Sequence, residues 1–134
     1  MKSGHMHILV IGRTGQLATS LAEAGGRAGV EGLRVTTAGR READLRCTDA
    51  LARLFGETRP DVVVNAAAYT AVDKAETDAA CAFAINAEGA ENVAREAIDK
   101  LYANGLFKAH PAKPYYEATQ GVGILLHSLL ELAM

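Results

Sequence analysis

The chain has 134 residues, of which 49% are hydrophobic and 22% charged, as is typical of one soluble globular domain. A net charge of −2 disfavours a nucleic-acid partner, and 5% aromatic residues without tryptophan disfavour a base-stacking surface. No apolar run reaches the ~20 residues that cross a bilayer, so no membrane span is expected. Cys47 and Cys81 match no metal-ligand spacing, and we expect free buried thiols, no metal site and a cytoplasmic location.

Strands and helices are predicted to alternate along the chain. Apolar runs bounded by glycine or proline predict buried parallel strands at residues 7–11, 33–38 and 61–65. Helical spacing of apolar residues predicts helices at 16–24, closed by Gly25 and Gly26, at 48–55 and from about 77 to 102. A last amphipathic helix is predicted from Tyr115, with an apolar stripe of Val122, Leu125, Leu126, Leu129 and Leu130.

This alternation predicts the α/β class, as a partial Rossmann-like three-layer βαβαβ unit with right-handed crossovers. We expect parallel strands in the order 3-2-1, then a long helix and an extra C-terminal amphipathic helix. A fourth parallel strand is expected after the long helix, but no segment matches it. The first five residues resemble a vector remnant before a natural start at Met6. Residues 1–6 are therefore set apart from a single domain at 7–134, with a dinucleotide-binding half at 7–97 and a divergent helical tail at 98–134.

A glycine-rich turn joins the first predicted strand to the first predicted helix. Its pattern is G-x-x-G-x-x-A, with Gly12, Gly15 and Ala18. Such glycines let the backbone approach a pyrophosphate, which then lies on the free N–H groups of the helix N-terminus. Gly12, Arg13, Thr14 and Gly15 are therefore candidate cofactor-binding residues, although an unliganded turn of another α/β protein stays an alternative.

Two arginines follow the second predicted strand. Arg40 and Arg41 come directly after Gly39, where NAD-binding proteins tend to carry an acid for the ribose hydroxyl. A guanidinium there can pair with a 2′-phosphate, which favours NADP(H) over NAD(H). The alternative is a pair of solvated surface arginines.

The third strand leads into NAAAYTAVDKAE at residues 65–76. Together with the glycine turn, Gln16 and INAEGA at residues 85–90, this run resembles the dTDP-4-dehydrorhamnose reductases. These are NAD(P)H-dependent extended short-chain dehydrogenases/reductases of dTDP-rhamnose biosynthesis, and the resemblance covers residues 7–97. It implies a pyrophosphate site, an adenosine ribose site, an adenine site and a nicotinamide site. The resemblance implies Gly15, Gln16 and Leu17 at the pyrophosphate and Arg40 at the adenosine ribose. It further implies Asp44 and Leu45 at the adenine, and Ala67, Ala68 and Tyr69 at the nicotinamide.

The family's Tyr-x-x-x-Lys pair, in which the tyrosine is the general acid or base, does not occur in this sequence. We therefore assign no catalytic residue and expect an inactive NADP(H)-binding unit. Two alternatives stay open: a reductase that uses unrecognised tail residues, and a self-assembling structural protein without a ligand. Truncation, frameshift or fusion near residues 98–101 would each explain the tail. We expect self-association through an exposed edge strand or the C-terminal helix.

Overall fold

The computed structural model describes residues 6–27, 32–103 and 106–107. Three parallel strands form one sheet, with helices on both of its faces. In chain order the elements are β1 (Met6–Ile11), α1 (Gln16–Arg27), β2 (Leu33–Ala38), α2 (Thr48–Thr58), β3 (Val62–Asn65), α3 (Val72–Ala75), α4 (Ala79–Phe83), a π-helical segment (Ala84–Glu88), α5 (Gly89–Leu101), β4 (Tyr102–Ala103) and β5 (Leu106–Phe107). The predicted α/β class is confirmed. No helix in these described ranges is long and apolar enough to cross a membrane.

The predicted strand order 3-2-1 is wrong, because β1 lies in the centre of the sheet, between β2 and β3. Ile8 pairs with Val35 on one side and with Val62 on the other. The two crossover helices explain this order. When two successive right-handed crossovers lie on opposite faces, they run in opposite directions along the sheet. The crossover from β2 therefore returns past β1 and places β3 on the free side of β1. β1 is therefore not an edge strand, and the edge expected for self-association is not there.

The two faces of the sheet carry different helices. A Cβ on Gly25 of α1 would collide with Val35, which places α1 on the face of Ile8 and Val35. Side chains alternate along a strand, so Leu9 and Ile11 point to the opposite face. There they join α2 and α5 in the hydrophobic core, whose buried members are Leu9, Ile11, Ala38, Ala43, Leu45, Leu51, Leu54, Phe55 and Val93.

A buried histidine joins β1 to β2, to the end of α2 and to the residue before β3. His7 is only 9% exposed, and its ring contacts the carbonyl oxygen of Thr58 and the hydroxyl of Thr36, both at 2.8 Å. A carbonyl only accepts, so Nδ1 donates to Thr58. The backbone N–H of His7 also donates to the Asp61 carboxylate at 2.6 Å, just before β3. His7 therefore has a structural role outside the glycine turn.

The long helix predicted from about residue 77 to 102 is continuous from residue 79 to 101, but it contains the π-helical segment. Helix α1 runs through Gly25 and Gly26, which were expected to end it. After α5 the described residues form a short antiparallel pair, β4 with β5, where a fourth parallel strand was expected. Cys47 is exposed and Cys81 half-buried, so the expectation of two buried thiols was wrong. Residues 1–5 and the helix predicted from Tyr115 lie outside the described residues.

Candidate functional site

A cleft of about 710 Å³ lies where the carboxyl ends of β1, β2 and β3 meet. Such a volume is within the range of small-molecule sites, and in open α/β sheets ligands bind at this end of the strands. Three chain segments line it, one after each strand. They contribute Gly12, Arg13, Thr14 and Gly15; Gly39, Arg40, Arg41 and Glu42; and Ala66, Ala67, Ala68 and Thr70.

Gly12 lies at the floor of the cleft, where the β1 turn touches the segment after β3. Its φ is +123°, a conformation that L side chains rarely adopt. A Cβ there would lie 3.1 Å from the carbonyl carbon of Ala66 and 3.3 Å from the nitrogen of Ala67. The N–H of Gly12 donates to the carbonyl of Ala38 at 2.7 Å, which joins the turn to β2 as well. Only glycine fits this position without strain.

Helix α1 begins directly after the turn and opens towards the cleft. The first intrahelical bond runs from the N–H of Thr19 to the carbonyl of Gly15, at 3.0 Å. The first N–H groups of any helix have no intrahelical acceptor, and the helix dipole is positive at that end. No acidic residue lies in the first turn of α1 to offset this charge. The N-terminus of α1 is therefore suited to an anion.

A glutamate occupies the wall that follows β2. One oxygen of Glu42 accepts the N–H of Gly39 at 2.8 Å, and the other forms an ion pair with Arg13 at 2.8 Å. The hydrogen bond from Gly39 and the charge of Arg13 lower the pKa of Glu42. The carboxylate therefore stays ionised, and its ion pair with Arg13 joins the turn after β1 to the wall after β2.

The arginines of this wall differ in their partners. Arg40 pairs with Asp44 at 3.1 Å, and Arg46 contacts both oxygens of the same carboxylate, at 2.9 and 2.7 Å. The side-chain bond from Arg46 is the main reason why the pKa of Asp44 is strongly lowered. Among the described residues, Arg41 forms no ion pair. It is the cleft arginine whose charge is left for a ligand.

The wall that follows β3 consists of small residues held by two asparagines. The N–H of Ala67 donates to the side chain of Asn65 at 3.2 Å. Asn86, in the π-helical segment, accepts the N–H of Tyr69 at 2.7 Å and donates to the Tyr69 carbonyl at 3.1 Å. Burial of the Tyr69 ring, with the charges of Asp78 and Cys81, raises its pKa. Tyr69 is thus no activated tyrosinate.

The structure brings eight of the predicted site residues into one cleft: Gly12, Arg13, Thr14, Gly15, Arg40, Arg41, Ala67 and Ala68. The other five do not line it. Gln16 and Leu17 are exposed at the start of α1, and Tyr69 lies between lining residues. Asp44 is held by arginines, and the Leu45 side chain is in the core while its carbonyl accepts from Asn92 at 2.9 Å.

Sequence reasoning missed four lining residues, Gly39, Glu42, Ala66 and Thr70. Glu42 had a signal. An acid three residues after a strand-ending glycine can fold back onto that glycine's N–H, much as a helix-capping residue does. Asn86 was also missed, because its contact with Tyr69 spans 17 residues of sequence.

Comparison with known proteins gives one consistent result. The family model described as "RmlD substrate binding domain" matches residues 6–102. The dTDP-4-dehydrorhamnose reductase of Burkholderia thailandensis is 40% identical over 118 residues, which is 84% of this chain and 38% of that protein. The chain thus spans well under half the length of this relative.

Two solved structures are similar to the fold. A dTDP-4-dehydrorhamnose reductase from Clostridium acetobutylicum has a TM-score of 0.61 and 35% identity, over 70% of this chain and 32% of that one. The enzyme of the same name from Bacillus anthracis, solved in complex with NADP, has a TM-score of 0.64 and 29% identity, over 72% of this chain and 34% of that one.

Proposed function

The chain belongs to the family described as the RmlD substrate binding domain, and from this premise we propose that its cleft binds NADP(H). The observation that carries the proposal is the meeting of the α1 N-terminus, Gly12 and the arginines of the β2 wall at the ends of all three strands. A dinucleotide needs this combination of free N–H groups, close backbone approach and positive charge.

The residues present fit the parts of the cofactor. The pyrophosphate would lie over residues 12–15, at the N-terminus of α1, whose first turn carries no acidic residue. The adenosine ribose would lie beside residues 39–42 and the nicotinamide beside Ala67 and Ala68, whose methyl groups leave room for a ring. When bound, the cofactor supplies a hydride. The chain's own residues bind it and orient it.

We assign the 2′-phosphate chiefly to Arg41. Arg13 is paired with Glu42 and Arg40 with Asp44, so the charge of each is already partly neutralised. Arg41 lines the same wall and is exposed. A planar guanidinium makes strong charge-assisted bonds to phosphate oxygens, which are worth roughly 1.5–3 kcal/mol each.

A fluorescence titration with NADPH and NADH tests the proposal. We expect NADPH to bind more tightly than NADH. Arg41→Ala should lower the affinity for NADPH by about tenfold or more, because a charge-assisted bond is lost, and should change the affinity for NADH little. Arg53→Ala removes an exposed arginine of α2 outside the cleft and serves as the matched control. Absence of NADPH binding would favour the structural, ligand-free alternative. Equal binding of both cofactors, unchanged in Arg41→Ala, would refute the 2′-phosphate assignment.

We further propose that this chain binds the cofactor without reducing a dTDP-4-keto sugar. Hydride transfer to a carbonyl needs a proton donor at the oxygen. No tyrosine of the sequence is followed by lysine four residues later, and the pKa of Tyr69 is raised. Consumption of NADPH with dTDP-4-dehydrorhamnose as the substrate would overturn this and favour the alternative of a reductase that uses tail residues.

Self-association and a cytoplasmic location stay predictions. With β1 in the centre, the edges of the described sheet are β2 and β3. Either edge offers unpaired backbone groups to a second chain. A monomeric mass in solution scattering at micromolar concentration would contradict self-association.

A further inference from the structure

The two walls of the cleft are each fixed to the long helix by one asparagine. Asn86 forms two hydrogen bonds with the backbone of Tyr69, on the wall after β3. Asn92 of α5 donates to the backbone carbonyl of Leu45, three residues beyond Glu42 of the wall after β2, at 2.9 Å. Both contacts join a side chain to a backbone far away in sequence. They therefore fix the backbone path of each wall, independently of the side chains that the wall carries.

The helix between these two contacts has an irregular turn. The N–H of Gly89 bonds to the carbonyl of Ala84, the five-residue spacing of a π-helix. A Cβ on Gly89 would lie 2.7 Å from the Cβ of Leu45. The helix therefore touches the β2 wall at Gly89, beside the Asn92 contact. π-Helical turns occur often at functional sites, and this one carries Asn86.

The contacts of Asn86 serve no visible packing need. Its side chain is exposed and so are both hydrogen bonds, while the core lies around Leu45 and Val93. Tyr69 sits between Ala68 and Thr70, which both line the cleft. Without Asn86, the N–H and carbonyl of Tyr69 would bond to water, and the lining residues on either side would lose their fixed course.

We propose that Asn86 and Asn92 are positioning residues, each of which fixes the backbone of one wall before the ligand binds. Asn86 fixes the wall after β3, proposed for the nicotinamide and called the nicotinamide wall below. Asn92 fixes the wall after β2, proposed for the adenosine half. This inference rests on the proposed binding of NADP(H). Preorganisation raises affinity by removing the entropy lost when a loop is ordered on binding. Each asparagine should therefore act only on the half of the ligand that its wall contacts.

Two ligands distinguish the contribution of one wall from that of the other. NADPH spans the cleft, whereas adenosine 2′,5′-bisphosphate carries only the adenosine half. We expect Asn86→Ala to lower the affinity for NADPH by about tenfold, the effect of two lost hydrogen bonds, and to leave the affinity for adenosine 2′,5′-bisphosphate unchanged. We expect Asn92→Ala to weaken both ligands by the same factor. Glu91→Gln, on the exposed side of α5 with Arg95 as its partner, is the control and should change neither affinity.

Each result decides the inference. If Asn86→Ala weakens both ligands equally, or neither, the assignment of Asn86 to the nicotinamide wall is wrong. Failure of the wild-type chain to bind either ligand refutes the proposed function and this inference with it, whereas wild-type binding with unselective variants refutes the inference alone. If Asn92→Ala leaves both affinities unchanged, or weakens the binding of NADPH alone, the assignment of Asn92 is wrong. The assignment of Asn86 is decided independently, because its pattern is read from two ligands on one variant.

Discussion

Gly12→Ala tests whether the floor of the cleft depends on a missing side chain. A non-glycine residue at a φ of +123° is strained by about 1–3 kcal/mol. The new Cβ would also meet backbone atoms of Ala66 at 3.1 and 3.2 Å, and backbone yields less easily than a flexible side chain. A forced shift of this kind costs typically ~1–3 kcal/mol more.

Together these effects predict a loss of about 3 kcal/mol in the free energy of unfolding. A domain of about 100 residues unfolds with an entropy of ~0.2 kcal/mol/K, so the melting temperature should fall by about 15 °C. Thermal and urea unfolding, followed by circular dichroism, measure this directly.

Gly56→Ala is the matched control. Gly56 lies in the interior of α2, and a Cβ there would meet nothing within 4 Å. Alanine is the better helix former, so this variant should be stabilised by ~0.5–1 kcal/mol. A Gly12→Ala protein that melts together with the wild type, while Gly56→Ala rises, would refute the reasoning.

Two further predictions concern the core and the charges. His7→Leu should cost about 2–3 kcal/mol, because the Thr58 carbonyl and Thr36 hydroxyl lose their partner, whereas Thr36→Val should cost about half of that. Urea midpoints measure both, and a His7→Leu variant as stable as the wild type would contradict the structural role. Glu42 and Asp44 have lowered pKa values in the fold, so the stability they contribute is present above their unfolded values of 4.5 and 3.8 and is lost as the pH falls further. Thermal melts between about pH 6 and pH 3 should therefore show a shallower acid loss in Asp44→Asn, and an unchanged slope would exclude this cause.

The strands and the glycine turn were predictable because their signals are local. β2 has the predicted bounds, β1 begins one residue earlier at Met6, and β3 begins one residue later at Val62. The strand order was not predictable in this way. Apolar runs tell which segments are buried, but not which face each helix covers, and the neighbours of β1 follow from that face.

In the cleft, too, the features with a local sequence signal were predictable, and those that depend on the folded chain were not. The turn at residues 12–15 was found from its glycine spacing between a predicted strand and a predicted helix, whereas Glu42 reaches Gly39 only because the chain turns after β2. The paired state of Arg40 also depends on Asp44 folding back towards it. The local sequence makes both Arg40 and Arg41 candidates for the 2′-phosphate, and the family resemblance implies Arg40 at the ribose. The ion pair distinguishes them.

The hydrogen bonds of His7 also bear on how the sheet selects its register. A slip of β2 by two residues keeps every side chain on its own face, so the apolar pattern alone discriminates poorly against it. Thr36 lies opposite Leu9 in the observed register. A slip would put Ala38 or Arg34 there, and neither residue offers the His7 ring the hydroxyl that Thr36 supplies. The polar side chain of His7 in the central strand thus favours the observed register of β2 over its two-residue slips.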